Sequence, residues 1–496
     1  MHAKGTTRTT SGVGDTCYDL LVIGGGINGC AIAREAALNG LSVLLVERDD
    51  LASHTSSAST GLIHGGLRYL EQYDFRLVAE ALRERERLIH AAPHLIRPML
   101  FVLPHENAVR PWWMVRAGLV LYDLLGGRMS LPRSRGLRRS DTAFSDPLKG
   151  GNRGFVYSDA QVDDARLTLA NALDAAANGA EVATRTALVA ARRDVDRWRA
   201  TLSDGREVTA RALVNAAGPW IGEALGRLGV NTRAHVRLVK GSHIVVPRLY
   251  DGDHAYMLQQ PDRRIVFAIP YNGLTEIGTT DVPVERPEEA VIDSEEIAYL
   301  CDAVNRHFVH QIAPADVVAT WSGVRPLYDD GASEAQVVSR DYVLEMDEHG
   351  PPLLSVFGGK ITTARHLAEE AMGKLAPALD VKVSQFTRDR PFPGGDIGDF
   401  AAFVAEVRRR WPFLGNDRSA RMAHAYGSAI TAMLADVADE GALGRAFDAG
   451  LTEVELRWMR DHEWARSADD ALMRRSKLGL RMTAAERAAV QAWFDQ

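Results

Sequence analysis

Cysteine is scarce in this chain of 496 residues, which contains only three: Cys17, Cys30 and Cys301. No two of them form a C-x-x-C pair or a spacing typical of metal ligands. The sequence therefore argues against a disulfide framework, a zinc ribbon and a cysteine-ligated iron–sulfur cluster. We expect each cysteine to be a small apolar residue of the core, and we expect no metal site.

Long apolar runs are also missing. The longest candidate, residues 112–125, is shorter than the roughly 18–20 residues that a spanning helix needs, and Arg116 and Asp123 interrupt it. Residues 1–16 are polar and rich in Gly, Thr and Ser, without the apolar segment of a signal peptide. We therefore expect a flexible leader over 1–16 and no membrane span.

There is no excess of positive charge and no repeat. Lys and Arg number 58 against 65 Asp and Glu, which gives a net charge of -7. This balance argues against a general nucleic-acid-binding protein, and we expect no nucleic-acid partner. A hydrophobic fraction of 46% and a charged fraction of 25% are instead typical of a globular protein, which at this length contains several domains.

What the sequence does contain is a glycine-rich turn between a strand and a helix. The apolar run 18–23 predicts a buried parallel strand, residues 27–39 have helical spacing, and 41–46 predicts a second strand that ends at Glu47. Between them, Gly24, Gly26 and Gly29 form G-x-G-x-x-G. In this context the motif predicts a dinucleotide site, with the pyrophosphate at the helix N-terminus and ribose hydroxyls on Glu47. A purely structural turn is the alternative, and the motif does not separate FAD from NAD.

The rest of the chain predicts an α/β protein in three parts. Helices are expected over 75–91, 162–178 and 362–374, and strands over 181–189, 212–216 and 353–357. We assign a discontinuous dinucleotide-binding domain to 17–90, 152–235 and 322–385. A β-rich substrate or cap region covers 91–151 and 236–321, and a helical C-terminal domain covers 386–496.

Several longer blocks resemble the FAD-dependent glycerol-3-phosphate dehydrogenases, and the resemblance extends from about residue 18 to 479. The blocks are TSSAS at 55–59, LIHGGLRYLE at 62–71, LVKGSHIVVP at 238–247, GTTD at 278–281, SGVRPL at 322–327, LLSVFGGKITT at 353–363 and DHEWAR at 461–466. The resemblance implies a Rossmann-like FAD domain of the glycine-oxidase and D-amino-acid-oxidase type.

The resemblance and the glycine motif together imply FAD as the cofactor. The hydroxyls at 55–59 suit a pyrophosphate or a flavin, although an ordinary polar loop is the alternative. A helix N-terminus near Thr362 is expected to face the flavin and to stabilise negative charge on it. The residues expected to bind FAD are Gly24, Gly26, Ile27, Asn28, Gly29, Glu47, Ser56, Ser57, Ser59, Leu62, Ala187, Leu188, Gly218, Gly359, Lys360, Ile361 and Thr362.

The implied reaction is oxidation of sn-glycerol 3-phosphate to dihydroxyacetone phosphate, which needs cations for the phosphate and a base for the C2 hydroxyl. The resemblance places these substrate-binding residues in the pocket: Arg68, Tyr69, Thr279, Thr280, Arg325, Arg340 and Lys360. A surface ion pair with Asp341 is the alternative for Arg340. As base we favour His243, because it lies in the β-rich part expected to cover the flavin. His64, or another group activated by Arg325, is the alternative.

The resemblance also implies that electrons pass to a membrane quinone. An oxidase that uses oxygen, and a flavin-binding module without turnover, are the alternatives. Residues 110–139 combine an apolar helix with seven arginines, which predicts peripheral attachment to anionic lipid at the cytoplasmic face of the cell membrane. The alternative is a core helix followed by a basic loop. We also expect a homodimer.

Overall fold

The computed structural model describes residues 16–106, 108, 110–230, 236–329 and 342–496. Its strands are β1 (Thr16–Ile23), β2 (Val43–Val46), β3 (Leu62–Ile63), β4 (Ile96–Pro104), β5 (Arg135–Gly136), β6 (Gly154–Val162), β7 (Glu181–Ala183), β8 (Leu188–Arg193), β9 (Trp198–Leu202), β10 (Glu207–Asn215), β11 (Val236–Val246), β12 (Ala255–Gln259), β13 (Ile265–Tyr271), β14 (Leu274–Gly278), β15 (Val282–Val284), β16 (Ala319–Tyr328), β17 (Val343–Asp347) and β18 (Leu353–Phe357). Its α-helices are α1 (Ile27–Leu38), α2 (Phe75–Ala91), α3 (Trp112–Leu125), α4 (Thr142–Ser145), α5 (Asp164–Ala177), α6 (Ile221–Arg227), α7 (Ser294–Asn305), α8 (Ala364–Leu379), α9 (Phe400–Arg410), α10 (Gly415–Tyr426), α11 (Ile430–Met433), α12 (Glu453–His462) and α13 (Ala484–Phe494).

The first sheet builds the dinucleotide-binding unit. Its main path runs β17-β18-β10-β1-β2-β7, and the pairs from β18 to β7 are all parallel. Helices α1, α5 and α8 pack together on one face, where small residues such as Ala33 and Ala36 are fully buried. Strands β8 and β9 with helix α6 cover the other face. This is the doubly wound arrangement that the strand and helix pattern predicts, and it confirms the expected fold class.

The second sheet is largely antiparallel and runs β15-β11-β14-β13-β12-β4-β6-β3, with β16 beside β11 and β5 beside β6. Helix α7 packs against β11, β13 and β14, and their shared core includes Ile244 and Leu300. Helices α9 to α13 form the C-terminal domain around a core of their own, in which Met422 and Leu456 are buried. Among the described residues, no helix is both long and apolar enough to cross a membrane.

Several expected boundaries differ from the structure. The helix expected over 162–178 begins at Asp164, because Val162 still belongs to β6. The strand expected over 181–189 is two strands with different partners, β7 beside β2 and β8 beside β9. Strands β3 and β6 and most of β16 fall in segments assigned to the dinucleotide domain, yet they pair within the second sheet. Of the expected leader, only Thr16 lies among the described residues, where it begins β1.

Candidate active site

The glycine turn after β1 is shaped by two close backbone approaches. Gly24 has a φ of +109°, and a Cβ on it would lie 2.5 Å from the carbonyl oxygen of Ala216. A Cβ on Gly29 would lie 2.0 Å from the carbonyl oxygen of Gly24. Only hydrogen fits at either position, so α1 begins directly against the sheet. Its N-terminal N–H groups therefore face the groove beside the turn, which is where a phosphate binds most favourably.

Glu47, at the end of β2, is held in place by backbone donors. Its Oε2 accepts a hydrogen bond of 2.6 Å from the Gly25 N–H, and its Oε1 accepts one of 2.8 Å from the Asp49 N–H. Burial raises the pKa of the Glu47 carboxyl, and these two hydrogen bonds oppose that rise. The side chain lines the groove beside the glycine turn. A carboxyl at this position suits the ribose hydroxyls of a dinucleotide.

A groove runs over the carboxyl ends of the first sheet. Of the residues expected to bind the cofactor, these line it: Gly24, Gly26, Ile27, Asn28, Glu47, Ser56, Ala187, Leu188, Gly218 and Gly359. Ser56 closes the start of α1, because its Oγ accepts a hydrogen bond of 3.0 Å from the Ile27 N–H. Trp220 also lines the groove, and the sequence patterns contain no signal for it.

A pocket of about 300 Å³ adjoins the groove and contains most of the other expected site residues. Of the expected cofactor residues, Ser59, Leu62, Lys360, Ile361 and Thr362 line this pocket. Ser57 lines neither of these two spaces, and its Oγ donates a hydrogen bond of 3.3 Å to the His54 carbonyl. The expected helix N-terminus near Thr362 is a short 3₁₀ turn over Ile361–Thr363, and α8 continues from it.

The same pocket collects cationic and polar groups that suit a phosphorylated substrate. Arg68, Arg325, Lys360, Tyr69, Thr279 and His64 all line it. Arg325 donates through Nη1 to Asp281 at 2.5 Å and through Nη2 to the Thr279 hydroxyl at 3.1 Å, which fixes the plane of the guanidinium. The Lys360 ammonium lies 4.1 Å from the centre of the Tyr69 ring. Its Nζ is buried and has no hydrogen-bond partner among the described residues. This is expected of an ammonium group that binds an anionic ligand.

Two expected site residues, His243 and Thr280, are not among those that line the pocket. His243 is 1% exposed and lies behind Thr60, whose hydroxyl is 3.0 Å from His243 Nε2. Burial lowers the pKa of His243 to about 3, and the charge of Arg325 adds to this. Thr280 is buried, and its hydroxyl donates to Glu296. Neither side chain is among those that line the pocket, and Arg340 lies outside the described residues.

A buried network of polar side chains holds one wall of the pocket in place. The Tyr122 hydroxyl accepts a hydrogen bond of 2.7 Å from the Gly65 N–H and donates to Asp159 at 2.8 Å. Arg85 in turn donates to Asp159 at 2.5 Å. Asp159 itself lines the pocket, and Gly65 follows His64 directly. Tyr122 on α3 therefore fixes the backbone beside His64. Sequence reasoning missed this network, because its members lie far apart in the chain.

Comparison with known proteins agrees with this geometry. Residues 19–365 match the family model described as FAD dependent oxidoreductase, and 385–495 match the C-terminal domain of alpha-glycerophosphate oxidase. The chain is 50% identical to a glycerol-3-phosphate dehydrogenase of Pseudomonas aeruginosa, over 93% of this chain and 92% of that protein. It is 47% identical to a D-erythritol 1-phosphate dehydrogenase of Brucella abortus, over 97% and 98%. The crystal structure of a Bacillus halodurans glycerol-3-phosphate dehydrogenase with FAD superposes with a TM-score of 0.72, at 26% identity over 96% and 94%.

Proposed function

The chain belongs to the FAD-dependent oxidoreductase family of the glycerol-3-phosphate dehydrogenases, and on that basis we propose that it oxidises sn-glycerol 3-phosphate to dihydroxyacetone phosphate. The observation that carries the proposal is the pocket beside the dinucleotide groove. It places one imidazole, from His64, among the cations Arg68, Arg325 and Lys360. A phosphate ester of a small alcohol needs these groups together.

The groove fits FAD. Gly26 lines the groove without a side chain, and a Cβ on it would lie 3.2 Å from Ser56 Oγ. Glu47 also lines the groove, and the buried Oδ1 of Asn28 has no hydrogen-bond partner among the described residues. Asn28 Nδ2 donates to the Gly358 carbonyl at 3.0 Å, which ties α1 to the turn at Gly359. When bound, FAD supplies the acceptor for the hydride from C2 of the substrate.

In this proposal the cations hold the phosphate dianion and orient C2, because guanidinium and ammonium groups form strong charge-assisted hydrogen bonds with phosphate oxygens. His64 accepts the proton of the C2 hydroxyl. Arg325, held flat by Asp281 and Thr279, stabilises the oxygen as it gains negative charge. His64 replaces His243 as the proposed base, since it lines the pocket and His243 does not.

A second candidate substrate is D-erythritol 1-phosphate, on which a relative of 47% identity acts according to its name. Steady-state turnover with a soluble dye acceptor distinguishes the two. We expect kcat/KM for sn-glycerol 3-phosphate to exceed that for D-erythritol 1-phosphate by at least tenfold. The reverse order would assign the chain to the longer polyol phosphate, and turnover of neither compound would contradict the proposed substrate class.

Exchange of Arg325 for lysine keeps the charge but removes the planar fork that Asp281 and Thr279 orient. Losing one charge-assisted contact costs about 1.5–3 kcal/mol, so we expect kcat/KM to fall by roughly one to two orders of magnitude. Bound FAD is expected to stay at the wild-type level. Steady-state kinetics and flavin content check both statements, and wild-type kinetics would remove Arg325 from the site.

The proposed electron acceptor is a membrane quinone, reached by peripheral attachment to the cytoplasmic face of the cell membrane. Helix α3 supports this, because Trp113, Ala117, Val120 and Leu124 follow helical spacing and all are exposed. Arg128, Arg133, Arg138 and Arg139 are exposed after the helix, where each would attract anionic headgroups by ~1 kcal/mol. An oxidase reaction with oxygen is the alternative, and quinone and oxygen consumption measured in parallel distinguish the two.

Exchange of Trp113 and Leu124 for serine is expected to release the protein from anionic liposomes while activity with a soluble dye is unchanged. These two side chains are 71% and 64% exposed, so their removal disturbs little packing. Trp112 is less suitable, because its ring lies 4.0 Å from that of Phe155. Val195→Ser is the matched control, since Val195 is 94% exposed between β8 and β9 of the first sheet. In liposome flotation, a double variant that floats like wild type would exclude α3 as the anchor.

A further inference from the structure

Behind the substrate pocket lies a second, larger cavity of about 900 Å³, between the C-terminal domain and the second sheet. Its wall includes Glu276 on β14, Trp321 on β16, Asp164 on α5 and Lys477 from the C-terminal domain. The reaction proposed above uses none of these groups. This interface cavity is nevertheless close to the substrate pocket, because Ser59 lines both spaces.

Three polar atoms connect the two spaces. The Thr60 side chain lines the substrate pocket, and its hydroxyl is 3.0 Å from Nε2 of His243. The same Nε2 is 3.7 Å from Oε1 of Glu276, which lines the interface cavity. His243 and Glu276 are 1% and 2% exposed, and Glu276 Oε1 has no hydrogen-bond partner among the described residues. Buried polar atoms left in this state are rare and call for an explanation.

The absence of a side chain at Gly278 leaves room for the His243 ring to approach the Glu276 carboxyl. His243 on β11 lies opposite Gly278 on β14, and Glu276 is two residues earlier on the same strand face. A Cβ on Gly278 would lie 1.9 Å from Cδ2 of His243, so any larger residue would displace the ring. On its other side the ring stacks on Trp321 at a centroid distance of 5.6 Å. The imidazole is therefore fixed between the hydroxyl and the carboxyl.

We propose that Thr60, His243 and Glu276 form a proton path from the substrate pocket to the interface cavity. The inference rests on the function proposed above, in which the hydride leaves C2 with its electron pair and the C2 hydroxyl proton remains on His64. That proton passes to the Thr60 hydroxyl as it releases its own proton to His243 Nε2. Nε2 then passes a proton to the Glu276 carboxylate, and Glu276 releases it to solvent in the cavity. His243 and Glu276 are positioning and relay residues, because neither contacts the substrate.

The electrostatics around the path suit transient protonation. Burial raises the pKa of Glu276 to about 8, with Asp164 adding to the rise and Lys477 opposing it. Asp163 and Tyr271 face the same cavity, and Arg325 faces His243 from the substrate side. With a raised pKa, Glu276 is protonated at neutral pH and becomes a carboxylate as the pH rises through about 8. The path therefore gains its proton acceptor over that pH range.

Glu276→Gln keeps the shape of the side chain and removes the ionisable group. In anaerobic stopped-flow with the FAD-loaded full chain and sn-glycerol 3-phosphate, we expect flavin reduction at pH 8.5 to slow by roughly 10–10²-fold, with substrate Kd unchanged. We expect the wild-type rate to rise near pH 8 and this rise to be absent from the variant. A pH-indicator dye in the same experiment is expected to show proton release that lags behind reduction. Glu276→Asp keeps a carboxyl and is expected to restore the pH dependence.

The proposed path would be overturned if Glu276→Gln were reduced at the wild-type rate. It would also be overturned if this variant were slow but kept the wild-type pH profile and released its proton in step with flavin reduction. If Glu276→Gln fails to retain FAD, the flavin reduction rates of Thr60→Val and Thr60→Ser are compared instead. Only serine keeps the hydroxyl, so we expect Thr60→Val to be the slower of the two. Equal rates in these two variants would also overturn it. Failure of the proposed function is distinguishable, since wild type itself would then not be reduced by sn-glycerol 3-phosphate.

Discussion

Exchange of His64 for alanine is expected to slow flavin reduction at saturating sn-glycerol 3-phosphate by roughly 10²–10⁴-fold, the range typical for loss of a general base. His64 lines the pocket that also contains Arg68, Arg325 and Lys360, and its backbone N–H is held by the Thr362 hydroxyl at 3.3 Å. Substrate binding is expected to change little, because the cations remain. Anaerobic stopped-flow absorbance at several substrate concentrations separates the two effects.

His349→Ala is the control for this experiment, because the His349 side chain is 95% exposed between β17 and β18 and does not line the pocket. Its reduction rate should match that of wild type. If His64→Ala were also reduced at the wild-type rate, the base would have to be a different group activated by Arg325.

Gly29→Ala is expected to lower FAD affinity by about 10²-fold or to prevent stable folding. The new Cβ would lie 2.0 Å from the Gly24 carbonyl oxygen, which is backbone and cannot rotate away. Relief requires α1 to move from the sheet, and with it the N–H groups that face the pyrophosphate position. Overpacking of this kind costs about 1–3 kcal/mol, occasionally more. Flavin retained per chain after dialysis and the thermal midpoint measure the two consequences.

Gly373→Ala is the matched control, since Gly373 is also inside a helix but is exposed, and a Cβ on it would have no neighbour within 4 Å. We expect full FAD content and a gain in stability of about 0.5–1 kcal/mol, because alanine favours the helix over glycine. Equal flavin content in both variants would show that the close approach at Gly29 does not position the groove.

The parts of the fold that sequence predicted well are those in which local pattern and function coincide. The turn with Gly24 and Gly29 lies between an apolar strand and a helix, so a segment of about thirty residues predicts both its shape and its role in binding a dinucleotide. Helix α2 begins and ends at the residues expected, Phe75 and Ala91, because its apolar and charged faces alternate clearly.

The parts that sequence predicted poorly depend on contacts between distant segments. Strand β6 is buried along its whole length, a pattern that fits either sheet, and only its pairing with β4 places it in the second one. His243 and His64 lie in equally suggestive blocks, yet only His64 lines the pocket, whereas the His243 ring is buried beside the Thr60 hydroxyl. Glu276 carried no signal at all, because its role follows from a cavity formed with the C-terminal domain.

Anaerobic addition of sn-glycerol 3-phosphate to the FAD-loaded protein is the most direct test of the proposed reaction. We expect the yellow absorbance of the oxidised flavin to disappear, one equivalent of dihydroxyacetone phosphate to form per flavin, and sn-glycerol 1-phosphate to leave the absorbance unchanged. Flavin that stays oxidised with sn-glycerol 3-phosphate, in a protein with full FAD content, would contradict it.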